Sequence, residues 1–335
     1  MTVRFGLLGS GKIGRIHASN IVKHAGATLK YVVDTDDVSA AEVATENGAV
    51  VADTEAVLGD PEVTAIVIAT PTDTHADLII AAARAGKAVF CEKPIDLSVQ
   101  QIQDCLRVVD ETNILLGVGF NRRFDPSIIA LREAVLSGQV GSVEIVSITS
   151  RDPSPPPASY IAKSGGIFKD MMIHDFDMAR WLLGEEPDSI FAVGSCLIDQ
   201  SIGAVGDFDS AVAVLKTGSG RICHISNSRR TTYGYDQRIE VFGSEGAVST
   251  KNILGNLVVT RTSVGQTRSN PVHFFLERYC AAYEHELNVF IAAVAGDGEF
   301  PATGEDGLRA LQLAEAADLS IRNAAAVHLS FEASE

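Results

Sequence analysis

The sequence has few basic residues and no long hydrophobic run. Lys and Arg together number 27 against 43 Asp and Glu, which gives a formal net charge of −16 at pH 7. This charge repels phosphate backbones and acidic lipid surfaces, and the isolated pairs Arg122-Arg123 and Arg229-Arg230 do not offset it. No apolar run reaches the length of a transmembrane helix. We therefore expect neither nucleic acid nor a membrane as a partner.

The cysteines and the start of the chain exclude further classes of protein. The five cysteines are widely and irregularly spaced and form no C-x-x-C motif, so they predict buried thiols and neither a disulfide framework nor a zinc site. A glycine-rich motif begins at residue 9, which leaves no room for a signal peptide ahead of the fold. We expect a cytoplasmic protein, and 335 residues with 46% hydrophobic content predict two domains.

That glycine-rich motif is the strongest signal in the chain. Gly9-Ser10-Gly11-Lys12-Ile13-Gly14 directly follows the apolar segment Val3–Leu8 and precedes helix-compatible residues. In this context Gly-x-Gly-x-x-Gly is typical of a dinucleotide-binding fold. Gly9 permits the tight turn, Gly11 lets backbone N–H groups approach a pyrophosphate at a helix N-terminus, and Gly14 lets the helix pack closely on the strand.

Asp34 completes the cofactor signal. It follows a second apolar segment, Leu29–Val33, and lies twenty residues after Gly14. A carboxylate there can accept hydrogen bonds from both hydroxyls of the adenosine ribose and would repel the 2′-phosphate of NADP. Its neighbours, Thr35 to Asp37, include no Arg that could bind that phosphate. The pattern predicts NAD; the alternative is a glycine-rich turn in some other βαβ unit.

The first part of the chain alternates short apolar segments with helical ones. This alternation predicts a parallel sheet with helices on both faces, hence an N-terminal Rossmann domain over residues 1–120. Further predicted strands and helices of this domain are, in chain order, Ala65–Ala69, His75–Ala85, Ala88–Cys91, Ser98–Asn113 and Leu115–Gly119.

The organisation changes near residue 120. Residues 121–335 predict an α+β domain with a mainly antiparallel sheet and helices on one face. Its predicted helices are Ser127–Gly138, about Asp170 to Leu183, and Asp306–Asn323, with a Pro-rich loop at Asp152–Ser159. Its predicted strands are Val143–Thr149, Ser189–Ile198, Ser210–Lys216, Arg221–Ser226, Gln237–Gly243 and Asn256–Arg261. The fold class is therefore α/β, with a doubly wound parallel sheet followed by an α+β domain.

Glu92-Lys93-Pro94 is the first of three groups of residues that could carry chemistry. It follows the predicted strand Ala88–Cys91, at the sheet edge where open α/β folds bind ligands. A lysine there lies near the nicotinamide, and the proline fixes the backbone in either the trans or the cis form. The alternative is a solvated lysine at the end of a strand.

The second group is the segment from Gly165 to Asp177. Met172, Phe176, Ala179 and Leu183 are spaced as the buried stripe of a helix, while Asp170 and His174, four residues apart, share a neighbouring face. Histidine can accept a proton near neutral pH and a carboxylate can orient it, as removal of a hydroxyl proton requires. A helix cap beside an exposed histidine explains the same pair. A zinc site is a weaker interpretation, because no third ligand is evident beside Asp170 and His174. We expect no metal.

The third group is Arg229-Arg230-x-x-Tyr233-Gly234-Tyr235-Asp236, after a predicted strand. Tyrosine hydroxyls and arginine donors suit a polyhydroxylated ligand and suit a protein interface equally well. The sequence leaves both interpretations open.

These groups, with the glycine motif and Pro71-x-x-x-His75, resemble the glucose-fructose oxidoreductase / inositol dehydrogenase superfamily over nearly the whole chain. Within it, Gly119–Asp125, Ser150–Pro153 and Met172–Asp177 look like the bacterial inositol 2-dehydrogenases, which oxidise myo-inositol to scyllo-inosose with NAD. The resemblance implies a large open sheet in the C-terminal domain that packs in a homo-oligomer, often a tetramer. Some inositol dehydrogenases carry His and Asn near the Ser150 and Asp152 positions, so the preferred stereoisomer stays open.

The resemblance also implies roles for individual residues. Lys93, Asp170 and His174 would be catalytic, with His174 as the base toward the reacting hydroxyl. Substrate contacts would come from these three with Arg122, Asp152 and Tyr235. The cofactor would be bound by Gly9, Gly11, Lys12, Ile13, Gly14, Asp34, Thr70, Pro71, His75, Glu92 and Lys93.

Two alternatives to an NAD-dependent inositol 2-dehydrogenase remain. One is an NAD-dependent dehydrogenase of another cyclitol or sugar, since the motifs define the reaction better than the hydroxyl pattern of the substrate. The other is a catalytically silent sugar- or nucleotide-sensing protein. The presence of Lys93, Asp170 and His174 together argues against silence.

Overall fold

The computed structural model describes residues 2–331, and its first part is a parallel sheet with interleaved helices. The elements in chain order are β1 Val3–Leu8, α1 Lys12–Lys23, β2 Ala27–Val33, α2 Asp37–Asn47, β3 Val50–Val51, α3 Thr54–Gly59, β4 Ala65–Ile68, a 3₁₀ turn Thr72–Thr74, α4 His75–Arg84, β5 Ala88–Cys91, α5 Val99–Thr112, β6 Leu116–Val118 and a 3₁₀ turn Asn121–Phe124.

The remaining elements build a second sheet and its helices. They are α6 Pro126–Leu136, β7 Val143–Arg151, α7 Ala158–Ser164, a π-helix Ile167–Met172, α8 Ile173–Leu183, β8 Pro187–Ser195, α9 Gln200–Ala204, β9 Ser210–Thr217, β10 Ile222–Ser228, β11 Asp236–Gly243, β12 Gly246–Ser249, β13 Val259–Thr262, β14 Gly265–Arg268, α10 Phe275–Arg278, α11 Cys280–Ala295, α12 Gly304–Asn323 and β15 Val327–His328.

The chain forms two compact units. The first comprises the residues up to Phe124 together with Ala281–Leu311, and the second comprises Asp125–Cys280 and the residues from Gln312 onward. The sequence predicts a continuous second domain from residue 121, whereas Ala281–Leu311 groups with the first unit. The reason is aromatic packing, since the Phe290 ring of α11 lies 6.4 Å from Phe5 and 5.5 Å from Phe90.

The first unit has the predicted Rossmann sheet. Its six strands are all parallel in the order β3-β2-β1-β4-β5-β6. Every residue of β4, from Ala65 to Ile68, is buried, as in a parallel strand covered on both faces. The order reverses between β1 and β4, and the carboxyl ends of such strands at the reversal form the ligand-binding crevice of these folds.

The second unit has the predicted mainly antiparallel sheet. Seven strands run in the order β12-β11-β7-β10-β9-β8-β15, and only β7 and β10 pair in parallel. Helix α8 packs on β7 and β10. Its predicted stripe is confirmed: Met172, just before it, and Phe176, Ala179 and Leu183 are all fully buried.

Three local predictions are wrong. The segment predicted as strand Asn256–Arg261 contributes only to a separate two-stranded hairpin, β13 with β14. The Pro-rich loop ends in a helix, α7, that begins at Ala158 directly after Pro157, because proline is tolerated ahead of a first helical turn. Cys280 is exposed at the start of α11 and Cys196 is half-buried, unlike the buried Cys91, Cys105 and Cys223, although all five cysteines are free as predicted.

Among residues 2–331, no helix is both long enough and apolar enough to span a bilayer.

Candidate active site

The glycine loop after β1 has the shape that a dinucleotide requires. Gly9 has φ +99°, and a Cβ on it would lie 2.4 Å from the Ala69 carbonyl oxygen. A Cβ on Gly14 would lie 2.0 Å from the Gly9 carbonyl oxygen, so α1 can approach the loop only with glycine there. A Cβ on Gly11 would meet nothing within 4 Å. The loop is therefore tight on the protein side and open where a pyrophosphate would lie.

The N-terminus of α1 supports the same interpretation. Its cap residue, Gly11, provides no side-chain hydrogen bond, and its first turn contains no acidic residue. By contrast, Asp36 caps α2 and Asp53 caps α3 with side-chain oxygens. The first N–H groups of a helix attract an anion, so the uncapped end of α1 fits the pyrophosphate of NAD. Lys12 and Ile13 are the first two residues of that helix.

Asp34 lies immediately after β2 and is held by the glycine loop. Its Oδ2 accepts hydrogen bonds from the Ser10 backbone N–H at 2.6 Å and the Ser10 hydroxyl at 2.8 Å, and its Oδ1 accepts one from the Asp36 N–H at 3.0 Å. Burial raises the pKa of Asp34, but the backbone N–H groups of Asp36 and Ser10 outweigh it and leave the pKa below its ordinary value. Asp34 therefore carries its charge at neutral pH.

His75 joins the segments that follow β4 and β5. Its Nδ1 lies 2.8 Å from the Pro94 carbonyl oxygen and its Nε2 lies 2.8 Å from the Thr70 carbonyl oxygen. The ring is almost fully buried. Pro71, also predicted to contact the cofactor, precedes the 3₁₀ turn at Thr72–Thr74. His75 thus fixes two predicted cofactor-binding segments relative to each other.

Glu92 belongs to a buried cluster that the sequence did not predict. Its Oε1 lies 2.7 Å from Nε2 of the fully buried His17. Glu286 of α11 is also fully buried, and its carboxyl oxygens have no hydrogen-bond partner among the described residues. Burial raises the pKa of Glu286 well above its usual range, and Glu92 adds to the effect. His17 lies three residues after Gly14, and that spacing is the only sequence signal for the cluster.

The side chains of His17, Glu92 and Glu286 are close enough to be ligands of one metal ion, since one donor atom from each lies within 4.8 Å of the others. The 2.7 Å contact between His17 and Glu92 is, however, a hydrogen-bond distance. Two ligands on one zinc ion at 2.0–2.2 Å are separated by roughly 3.4 Å in tetrahedral geometry. The contact is therefore that of a hydrogen-bonded pair.

Lys93 is the second residue after β5, at the carboxyl edge of the parallel sheet, and is half-buried. The Lys93-Pro94 peptide bond is cis. Arg122, in the 3₁₀ turn after β6, is the other predicted substrate residue of the first unit and is buried.

Asp170 and His174 lie in the second unit, where the helix changes its form. Asp170 is in the π-helix Ile167–Met172, and His174 is the second residue of α8. The sequence predicts one regular helix from about Asp170, whereas the first turn is the wider π form, which is frequent at functional sites. Both side chains are half-buried at the same end of α8.

Tyr160 and Arg229 contact the Asp170 carboxylate. The Tyr160 hydroxyl donates to its Oδ1 at 3.0 Å, and Nη1 of Arg229 lies 3.5 Å from its Oδ2. Burial and the nearby carboxylate raise the pKa of Tyr160, so the phenol keeps its proton and stays a donor. Tyr160 is not among the predicted site residues, and it lies on α7, a helix that the sequence pattern does not indicate.

Asp175, next to His174, anchors the start of α8 to the sheet. Its Oδ1 accepts a hydrogen bond from the Ser150 hydroxyl at 2.6 Å and its Oδ2 one from the Asn227 side chain at 2.8 Å. Ser150 is on β7 and Asn227 on β10, and all three residues are buried. Ser150 therefore belongs to the support of the helix that carries His174.

The other predicted substrate residues occupy different environments. Asp152 is half-buried after β7, and its N–H donates to the Ser228 carbonyl at 3.0 Å. Tyr235 is buried, with its ring 6.1 Å from that of Tyr279. Tyr233 donates to the Asp236 carboxylate at 2.7 Å.

The fold and the cofactor loop define an NAD-dependent oxidoreductase. Residues 3–120 match the family described as the oxidoreductase family with an NAD-binding Rossmann fold, and residues 128–249 match the GFO/IDH/MocA C-terminal domain. The chain belongs to the GFO/IDH/MocA oxidoreductase family, which confirms the resemblance and the NAD cofactor predicted from the sequence.

Similar proteins cover nearly the whole chain. An inositol 2-dehydrogenase of Rhizobium meliloti is 53% identical over 96% of this chain and 97% of its own length. A myo-inositol 2-dehydrogenase of Thermotoga maritima is 45% identical over 98% of both.

Two solved structures contain ligands. A Lactobacillus casei scyllo-inositol dehydrogenase with NAD(H) and scyllo-inositol has a TM-score of 0.91 and 28% identity, covering 98% of this chain and 99% of its own. A myo-inositol dehydrogenase of the same organism with NAD(H) and myo-inositol has a TM-score of 0.89 and 25% identity, covering 100% of this chain and 99% of its own.

Proposed function

We propose that this protein is an NAD-dependent inositol 2-dehydrogenase that oxidises myo-inositol to scyllo-inosose. The observation that carries the proposal is the 53% identity to an inositol 2-dehydrogenase over 96% of the chain. Lys93, Asp170 and His174 are all present, which argues against a silent sensing protein.

The proposed roles follow from what the oxidation of an alcohol requires. Bound NAD supplies a hydride acceptor, and the carbinol carbon can lose hydride only as its hydroxyl proton leaves. His174 would accept that proton, and Asp170 would orient the imidazole and stabilise its charged form. The Lys93 ammonium would stabilise the negative charge that develops on the oxygen.

The substrate would be recognised through hydrogen bonds, because a cyclitol carries no charge. Arg122, Asp152 and Tyr235 would supply donors and acceptors to the substrate in addition to the three catalytic residues. We propose that the reacting hydroxyl is axial, as at C2 of myo-inositol, because the hydrogen on that carbon is then equatorial and can point at the nicotinamide. Scyllo-inositol has no axial hydroxyl and should react poorly.

A polyol panel tests this function. Purified protein is mixed with NAD and with myo-inositol, scyllo-inositol or glucose, and NADH is followed at 340 nm. We expect the highest kcat/KM with myo-inositol. Preference for glucose, equal rates with both inositols, or no NADH with any of them would contradict the proposal.

The Lys93→Ala variant tests the proposed catalytic role of Lys93. Loss of one charged donor to the reacting oxygen is worth about 3 kcal/mol, so kcat should fall on the order of a hundredfold. Binding of NAD, measured by calorimetry, should change little, because the ammonium acts on the substrate oxygen. A variant within a few-fold of the wild type would show that Lys93 is only a residue at a strand end.

We further propose that the protein is a homotetramer that uses the outer face of the seven-stranded sheet. Residues opposite each other in register lie on one face, and the pairs Phe191–Val214, Val193–Val212, Ile222–Ile145 and Ile145–Phe242 are all exposed and apolar. Contiguous exposed apolar patches of this kind mark interaction sites.

Light scattering after gel filtration tests the assembly. The wild type should have four times the 35.5 kDa mass of the chain. Val212→Glu should lower that mass, because it places a charge in the patch. Val264→Glu is the matched control, since Val264 is 96% exposed and lies outside the sheet. A monomeric wild type, or an unchanged mass for Val212→Glu, would contradict the proposal.

A further inference from the structure

Arg229 is a buried charge to which the proposed reaction gives no role. It directly follows β10 and is 1% exposed. Its Nη1 lies 3.5 Å from Oδ2 of Asp170, and its Nη2 lies 3.5 Å from Oδ2 of Asp207. One guanidinium therefore lies between two carboxylates that are 37 residues apart in the sequence.

Asp207 holds the start of the π-helix. Its Oδ1 accepts a hydrogen bond from the backbone N–H of Ile167, the first π-helical residue, at 2.9 Å. Gly166 makes this approach possible, since it has φ +81° and a Cβ on it would lie 2.6 Å from the same oxygen. Gly166, in the predicted functional segment Gly165–Asp177, thus admits a carboxylate to the π-helix.

Asp170 is held from two sides. Tyr160 donates to its Oδ1, while Arg229 contacts its Oδ2. The planar guanidinium presents donors in a fixed fork and keeps its charge when buried, whereas a lysine ammonium is a single point. Only an arginine can therefore contact Asp170 with one nitrogen and Asp207 with another.

We propose that Arg229 is a positioning residue: it bridges Asp170 to Asp207 and so fixes the π-helical turn that presents Asp170 beside His174. This rests on the proposed function in that it takes Asp170 to act on His174. Arg229 itself acts through Asp170 and is assigned no contact with the substrate.

Arg229→Lys tests the bridge, because it keeps the charge and loses the fork. We expect kcat to fall at least tenfold while the KM for NAD stays within twofold. Arg180→Lys is the matched control, since Arg180 is also buried, lies on α8 and is paired with a carboxylate, that of Glu186, at 2.7 and 2.5 Å. It should lower the melting temperature and leave kcat within twofold. Equal kcat losses in both variants would overturn the proposal.

A double-mutant cycle shows whether Arg229 acts through Asp170. In an Asp170→Asn background, Arg229→Lys should change kcat by less than twofold further, because the contact that it weakens is already lost. A tenfold further loss in that background would mean that Arg229 acts elsewhere.

Hydrogen exchange provides a readout that needs no turnover. Arg229→Lys should speed amide exchange over residues 165–174, and Arg180→Lys should not. Asp207→Asn should speed exchange over the same residues and serves if Arg229→Lys does not fold. If the wild type oxidised no polyol, the proposed function would be wrong. The hydrogen-exchange experiment would still show whether Arg229 bridges Asp170 and Asp207, because it needs no turnover. Unchanged amide exchange in both the Arg229 and Asp207 variants would overturn the proposed role of Arg229.

Discussion

At the scale of single residues, the candidate site consists of side chains held in place by neighbours that the sequence does not reveal. The glycine motif identifies Asp34, but its hydrogen bonds to Ser10 depend on how the glycine loop folds back toward β2. Asp170 and His174 are recognisable from their spacing. Tyr160, Asp207 and Glu286 are not, because each reaches its position through tertiary contacts and none belongs to a local pattern.

The charge of Asp34 predicts a preference for NAD over NADP. The wild type should have a kcat/KM at least about tenfold higher with NAD, which corresponds to about 1.4 kcal/mol of discrimination. Replacing Asp34 with Ser and Thr35 with Arg should move the preference toward NADP, because the repelling carboxylate is replaced by a donor to the 2′-phosphate. Steady-state kinetics with both cofactors measures this, and a wild type that used NADP equally well would refute the role of Asp34.

The proposed base predicts how the rate depends on pH. His174 accepts a proton only when neutral, so kcat/KM should fall as the pH drops through the pKa of the base. His174→Ala should lower kcat on the order of a hundredfold or more and remove the acid limb. Asp170→Asn should fold normally with reduced kcat, since an amide does not stabilise an imidazolium. High activity with an intact acid limb in His174→Ala would identify another base.

At the scale of secondary-structure elements, strong periodicity predicts well and weak periodicity does not. Strands β1, β4 and β5 and helices α4 and α5 lie within one or two residues of their predicted bounds. By contrast, α2 and α3 were not predicted, because each buries few side chains and shows little apolar pattern. The π-helix could not be predicted, since a single i→i+5 turn is too short to change the apolar spacing of the helix that follows it.

Helix α12 carries an acid whose titration couples to stability. Burial raises the pKa of Asp318 from 3.8 to about 6, despite nearby Lys169 and Arg322. Between these values the folded protein holds a proton that the unfolded chain releases. The bound proton therefore adds to the free energy of unfolding. This addition is complete below about pH 4 and is lost as the pH rises to about 6.

Asp318→Asn should therefore stabilise the protein more at high pH than at low pH. Because Asp318 is partly exposed, we expect its advantage in the free energy of unfolding to grow by roughly 1–2 kcal/mol from about pH 4.5 to about pH 8. Urea denaturation at both pH values measures it, with Asp110→Asn, at an exposed position on α5, as the control. An advantage that does not depend on pH would show that the pKa of Asp318 is not raised.

At the scale of the whole molecule, the order of elements predicts both sheets, but the extent of each unit depends on contacts between distant segments. The change from alternating strands and helices to successive strands marks the transition near residue 120. No change in the sequence pattern indicates that Ala281–Leu311 belongs to the first unit. The packing of Phe290 of α11 on Phe5 and Phe90 joins segments that are far apart in the sequence, and no local pattern signals it.

Isotope labelling tests whether the hydrogen transferred to NAD comes from C2 of myo-inositol. Myo-inositol deuterated only at C2 is incubated with the protein and NAD, and the reduced cofactor and the ketone are analysed by mass spectrometry and NMR. We expect one deuterium in each NADH formed, scyllo-inosose as the ketone, and a slower chemical step than with unlabelled substrate. Unlabelled NADH, or deuterium retained in the ketone, would mean that another carbon is oxidised and would contradict the assignment.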